Sequence, residues 1–339
     1  MERLAGIQYL RALAALGVVV FHVAEPLGAN LEIGGAGVDI FFVISGFVIW
    51  HVQAASPRPP GLFLLNRAVR IIPTYWVATL CLLLLAALGL VPRMVLNPEH
   101  ILASFLFLPA PSPSVPGLTL PFLGQGWTLN YEMAFYLLFA LTIPLAAPRR
   151  LALLSAVLVG LVLAGWLVRP DSVAAVFYTR PIILEFVAGM IIARLHQARL
   201  LGNPLLGVTL TLAGILGLGL LMPLGGQPGT IAAGLAAAAL VAGVVALEVA
   251  GRLPNLPGLG LLGDASYPIY IWHSFVLSVA FRIGDVLTLP RGLTAVIAVV
   301  GSAAAGVVLY CAMERPIGRL YRRVLNSAHP PKAQTSPAT

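Results

Sequence analysis

Ten stretches of the chain stay apolar for about 17–25 residues, the length a helix needs to cross the hydrocarbon of a bilayer. They fall at 7–24, 36–52, 71–91, 127–147, 151–168, 181–197, 205–223, 229–250, 266–287 and 292–313. A spanning segment must satisfy its own backbone hydrogen bonds, so each run predicts a membrane helix. Glycine and polar residues interrupt the second and sixth runs, which carry the weakest signal. The shorter run "ILASFLFLPA" at 101–110 is too brief to span and is expected in a loop or a re-entrant piece. The expected fold is an all-α polytopic membrane helix bundle of about ten transmembrane helices, forming one membrane domain over 1–325. Beyond it, "NSAHPPKAQTSPAT" at 326–339 is polar and proline-bearing and reads as a disordered cytoplasmic tail.

The basic residues test this arrangement. With the N-terminus in the cytoplasm, fourteen Lys and Arg fall on the inner side and five on the outer, with Arg11 left inside a helix. That bias follows the positive-inside rule and predicts both termini to be cytoplasmic. An eleventh span at 101–110 would invert everything after it and spoil the bias. The outer loop 92–126 holds seven prolines, from Pro92 to Pro121, and cannot be regular helix. It is long enough to cover or shape an outer cavity.

Composition agrees. The 339 residues are 59% hydrophobic and 9% charged, with a mean hydropathy of +0.96. Soluble domains carry about 25% charged residues, so a soluble globular protein is excluded. The net charge of +8 does not indicate nucleic acid, because the basic residues stand singly or in pairs at the ends of apolar runs. Membrane lipids are the expected surroundings, and no nucleic-acid partner is predicted. Cys81 and Cys311 both lie in apolar runs and read as packing residues, with no disulfide framework and no metal spacing. Arg11 interrupts the first run and no clear small-x-small site follows it, so the run is read as a span rather than a cleaved signal.

Several polar residues lie where hydrocarbon disfavours them. In "IQYLRALAALGVVVFHV", Arg11 and His22 are eleven residues apart, which on a helix places both on one face about 16 Å apart in depth. The bland alternative is a snorkelling arginine and an interfacial histidine. In "GGAGVDIFFVISGFVIW", Asp39 sits at the level of His22, where it either caps the helix or orients and charges the imidazole. "NRAVRIIPTYW" sets Arg67 and Arg70 three apart, just before the third span. Such a pair is either positive-inside anchoring or a fork for phosphates. In "GQGWTLNYEMAFY", Trp127 at the interface would put Glu132 one turn deep, level with His22 and Asp39. Glu185 is another outer-half acid, either functional or a packing contact. In "GDASYPIYIWH", Ser266 reads as an N-cap. His273 lies about 10 Å further in, as a core residue or a site residue. Glu314, in "MERPIGRLYRR", is placed to pair with Arg11 or a neighbouring arginine.

Taken in order, "YLRALAALGVVVFHV", "GGAGVDIFFVISGF", "NRAVRIIPTYW", "WTLNYEMAFY", "SYPIYIWH" and "ERP" resemble the acyltransferase-3 family of bacterial membrane acyltransferases. The wording is most similar to the exopolysaccharide, succinoglycan-type O-acetyltransferases. The likeness runs from residue 7 to about 318; each motif is weak alone and the ordered set is specific. One departure is "TLNYE" in place of "SLSVE"-like wording, which leaves the acid in place. Nothing resembles the extracytoplasmic hydrolase-like domain that some members carry.

The resemblance implies acetyl-CoA or another short acyl-CoA as donor, with no metal. The acceptor would be a polysaccharide or lipid-linked oligosaccharide, and the location the bacterial inner membrane. It matches Arg11 with His22 to an Arg-x10-His element, Arg67 with Arg70 to a donor-associated Arg-x-x-Arg element, and Glu132 to an essential acid. His22, Asp39 and Glu132 are therefore expected to be catalytic. His22 would act as base on a hydroxyl or carry the acyl group, oriented by Asp39 or Glu132. Arg11, Arg67, Arg70 and His273 are expected on the donor. The rival function is a proton-coupled transporter using the same intramembrane His, Glu and Arg.

Overall fold

Helix dominates because the chain offers the bilayer little else. The computed structural model describes residues 4–29, 31–222 and 226–328. Its helices are α1 (Ala5–Ala24), α2 (Gly37–Ala55), α3 (Pro60–Ala87), α4 (Pro98–Phe105), α5 (Trp127–Thr142), α6 (Ala147–Val168), α7 (Val173–Tyr178), α8 (Leu184–Gln197), α9 (Pro204–Leu221), α10 (Gly226–Val249), α11 (Pro257–Asp264), α12 (Ser266–Val286), α13 (Arg291–Leu309) and α14 (Arg315–Ala328). A single π-helical turn, Tyr310–Glu314, joins α13 to α14. Among the described residues the one β contact is an isolated bridge between Pro111 and Thr119.

Each of the ten apolar runs has its helix. Among the described residues, eight helices are long and apolar enough to cross a membrane, and the chain is a multi-pass membrane protein. The two others, α5 and α8, have 16 and 14 residues. At 1.5 Å per residue they reach about 24 and 21 Å, short of a bilayer core of about 30 Å. They pack inside the bundle, where Phe135 of α5 stacks on Phe186 of α8 with ring centroids 4.2 Å apart. Much of α6 turns outward, exposing Leu153, Val159, Leu163 and Leu167.

Small residues set the tightest crossing. A Cβ added to Gly46 would strike the Phe186 backbone, and one added to Gly189 would strike the Val43 carbonyl oxygen. Helices α2 and α8 thus meet backbone to backbone, the close approach that membrane helices use in place of a hydrophobic driving force. Arg150, counted above as a positive-inside residue, also closes α5. Its guanidinium donates to the carbonyl oxygens of Thr142, Ile143 and Leu145, at and just beyond the helix end.

Some edges differ from expectation. Helix α3 starts at Pro60, not 71, so Arg67 and Arg70 lie within it rather than before it. The 101–110 run is covered in part by the short helix α4, which ends at Phe105. Of the predicted tail, residues 326–328 close α14, and 329–339 lie outside the described residues, as do Arg3 and Lys332 of the charge count.

Candidate active site

Polar side chains gather in three spaces that follow one another through the bundle. The first opens at the end where α1 begins. There Arg67 and Arg70, one turn apart on α3, line a mouth together with Arg11 of α1 and Glu314 of the π-helical turn. Arg11 is held in place: its Nε donates to Gly263 O at 3.3 Å and Ser266 Oγ at 3.2 Å, and its NH2 group donates to Ser266 Oγ at 2.9 Å. The α11–α12 junction can reach Arg11 because Gly263 lies against the Gln8 backbone, where a Cβ would collide. Ser266, expected as an N-cap, makes no cap bond and is spent on Arg11 instead.

Arg67 and Arg70 have no such partners. Among the described residues, no carboxylate lies within 4.0 Å of either guanidinium, and the Nε of Arg67 is buried without a hydrogen bond. Glu314, expected to pair with Arg11 or a neighbouring arginine, instead accepts from Thr74 Oγ1 at 3.5 Å. A guanidinium whose Nε is buried without a partner, as in Arg67, is costly unless something else neutralises it, whereas Arg70 is exposed at the mouth. Their fork geometry suits phosphate oxygens.

The second space lies in the middle of the bundle, walled mostly by apolar side chains such as Phe41, Phe42, Ile44 and Leu129. It shares Arg11, Val48, Ile49, Arg67 and Arg70 with the mouth. Glu132 lines it, accepting from Ser45 Oγ at 2.8 Å, with Tyr136 Oη 3.5 Å from the same serine. The expectation that Glu132 stands level with His22 is corrected: it faces the arginine-lined chamber. The depth was counted from Trp127 as an interfacial residue, whereas Trp127 packs edge-on against Phe42 and Tyr131 inside the bundle.

The third space opens at the opposite end and is lined by His22, His273 and Asp39. Residues Arg93, Leu120, Gly124 and Gln125 of the proline-rich loop wall it, as the loop's length suggested. His22 and His273 stack with centroids 5.1 Å apart and planes 24° apart. His273 Nδ1 lies 2.7 Å from Tyr270 O. A carbonyl oxygen only accepts, so Nδ1 carries the proton and Nε2 the lone pair. His22 is half-buried and makes no hydrogen bond to any described residue.

Two expected pairings are absent. Neither Asp39 nor Glu132 bonds the His22 ring. Asp39 is 7% exposed and faces Glu185, which is 4% exposed, so two buried carboxyl groups lie side by side. His273, expected on the donor, lies beside His22.

The middle and outer spaces share Val38 and Tyr270. Tyr270 is fixed by Thr128 Oγ1, which donates to its hydroxyl at 3.1 Å, and by its own donation to Gln125 O at 3.0 Å. Tyr267, one turn earlier, donates to Ile71 O at 2.8 Å and faces the middle space. Neither tyrosine was singled out from sequence. The signal was the three-residue spacing of Tyr267, Tyr270 and His273, which puts all three on one face of α12. Ser45 carried no signal beyond being polar in an apolar run. Arg11 and His22, about 16 Å apart in depth, therefore line the first and last of three adjoining spaces. Among the described residues no group of three or more His, Cys, Asp or Glu is placed to hold a metal ion.

Comparison with known proteins gives a family and several named relatives. The chain matches the acyltransferase-3 family, described as an acyltransferase domain, over residues 4–311. It is 42% identical over 301 residues to exopolysaccharide production protein ExoZ of Rhizobium meliloti (strain 1021), covering 89% of this chain and 95% of that protein. It is 27% identical over 305 residues to O-acetyltransferase OatA of Staphylococcus aureus (strain NCTC 8325 / PS 47), covering 80% of this chain and 50% of that longer protein. No solved structure matches.

Proposed function

The chain belongs to the acyltransferase-3 family of membrane acyltransferases, and on that premise we propose that it moves a short acyl group, acetyl foremost, from cytoplasmic acyl-CoA to a hydroxyl of an extracytoplasmic or lipid-linked glycan. The reading places it in the bacterial inner membrane with both termini cytoplasmic, as one acyltransferase domain over 1–325. Exopolysaccharide is the favoured acceptor, supported by the relative named for exopolysaccharide production.

One observation carries the reading: unpaired arginines, a mostly apolar middle chamber that holds Glu132 and Tyr136, and a stacked imidazole pair lie in series. Acyl-CoA has a matching layout, with its phosphates at one end, a long thin pantetheine arm and the thioester at the other. Arg67 and Arg70 would hold the phosphates at the inner mouth, with Arg11 below the arm. The arm would pass Glu132 and Tyr270 toward His22. An acceptor hydroxyl would come from the outer side, past Gln125 and the proline-rich loop.

His22 would then take the hydroxyl proton as its oxygen attacks the thioester carbonyl. The tetrahedral adduct would collapse by breaking the carbon–sulfur bond, and the thiolate leaving group would recover the proton from His22. His273, its Nδ1 proton tied to Tyr270 O, would hold the His22 ring plane by stacking. Asp39 remains in the proposal as the acid of the outer chamber, and Glu132 as that of the middle chamber.

The test is mass spectrometry of cell-surface glycans from cells with and without the gene, and with His22→Ala in place of the wild type. The reading expects one acetyl mass per modified site, lost in both mutants. An unchanged set of glycans would overturn it.

A further inference from the structure

The mouth holds more positive charge than the inner arginines supply. Arg58, Arg315 and Arg322 line it alongside Arg11, Arg67 and Arg70, against Asp264 and Glu314. The six arginines fall into two groups by depth. Arg11, Arg67 and Arg70 also line the middle chamber, whereas Arg58, Arg315 and Arg322 line the mouth alone.

The rim group is positioned, not scattered. Arg58 lies between α2 and α3, where Gln53 Nε2 donates to its carbonyl oxygen at 2.8 Å and pins that backbone. Helix α14 carries four arginines, and only Arg315 and Arg322 face the mouth. They are seven residues apart, two helical turns, and so share one face. All four are exposed, but Arg319, whose Nε donates to Arg315 O at 3.4 Å, and Arg323 do not line the mouth. Anchoring to the membrane surface would not select among the four. Tyr321 also lines the mouth, with its hydroxyl buried and unpartnered among the described residues.

We propose that Arg58, Arg315 and Arg322, with the Tyr321 hydroxyl, form a subsite for a phosphate monoester, the 3′-phosphate on the ribose of the donor nucleotide. The proposal rests on the acyl-CoA reading above. In such a donor the pantetheine arm leaves from the diphosphate, so a diphosphate held by the inner arginines puts the ribose phosphate further out, at the rim. A phosphate monoester carries about −1.5 to −2 at neutral pH, which suits several guanidinium forks at once. The subsite would let the enzyme tell acyl-CoA from thioesters whose pantetheine lacks this nucleotide.

An anionic lipid headgroup offers similar chemistry, so the test separates the two. The full chain is placed in nanodiscs of phosphatidylcholine, alone or with phosphatidylglycerol, and binding of CoA and of 3′-dephospho-CoA is measured by titration calorimetry. The wild type is expected to bind CoA about tenfold or more tightly than the dephospho form in both lipids, the size of a charge-assisted contact. Arg58→Gln and Arg322→Gln should collapse that ratio, and Arg322→Lys should keep part of it. Equal binding of the two nucleotides by the wild type would overturn the subsite and leave the acyl-CoA reading standing. A preference that vanishes when phosphatidylglycerol is present would assign the rim to lipid and overturn it as well. Binding of neither nucleotide would refute the acyl-CoA reading and the subsite with it. The wild-type comparison needs no variant, so misfolding cannot obscure it.

Discussion

Arg67 and Arg70, at one end of the passage, keep their charges with no carboxylate within 4.0 Å among the described residues, whereas His22 and His273, at the other, stack on each other with one ring tied to a backbone carbonyl. The contrast separates two kinds of work. A charged group left unpaired in a membrane protein calls for a counter-charge, which the proposed function supplies as the donor's phosphates. An imidazole that is partly shielded and stacked on a tautomer-locked neighbour is equipped to move a proton. Between them lie the Ser45–Glu132 bond, in the chamber that Arg11, Arg67 and Arg70 also line, and Tyr270, which borders both the middle and the outer space.

If the two ends divide binding from chemistry, substitutions should divide the same way. The largest effect is expected from His22→Ala. Loss of a general base slows transfer by about 100-fold or more, while CoA affinity measured by titration stays near the wild-type value. Both falling together would break the comparison. Next comes Arg67→Gln, which removes a charged contact to phosphate and should weaken CoA binding by about 10- to 100-fold. Turnover at saturating donor should suffer much less, which a kcat-against-KM series would check.

Ser45→Ala sharpens the middle of the passage. It removes one hydrogen bond to Glu132, worth about 1 kcal/mol, and should slow transfer a few-fold. The smallest effect belongs to Arg291→Gln at the outer rim. Its pair with Asp285, at 3.7 Å, is exposed on both sides. Exposed pairs contribute about 0–1 kcal/mol, so thermal stability and transfer rate should hardly move. A large loss there would mean the outer rim binds acceptor by charge, and the contrast between the ends would need redrawing.

Much of the fold was legible because the bilayer demands apolar runs, and hydropathy reports those directly. What it misreads is any helix whose polar face looks inward. Helix α3 continues down to Pro60 because Arg67 and Arg70 face a chamber, although the local hydropathy there suggests that the span has ended. Helix α8 is shorter than its run because the run opens with the 3-10 turn Pro181–Ile183, and α5 because it ends where Arg150 takes the carbonyl oxygens of Thr142 and Ile143.

In the site, the depth of Arg11 and His22 followed from helix geometry alone, since both lie on one uninterrupted helix. Placements that needed a second helix were less secure. Glu132 was set too high because Trp127 was read as interfacial. The stacking of His273 on His22 depends on how α12 meets α1, which no local pattern encodes. The facing of Asp39 and Glu185 depends in the same way on the glycine-mediated contact of α2 with α8.

The central claim is that donor and acceptor meet from opposite membrane faces through this passage. Proteoliposomes with the protein in one orientation, acetyl-CoA confined to the face bearing Arg67 and Arg70, and deacetylated cell-surface glycan on the other face test it directly. Acetyl groups should appear on the glycan across the sealed bilayer, and should not appear with His22→Ala. Transfer only when donor and glycan share one face would contradict the account.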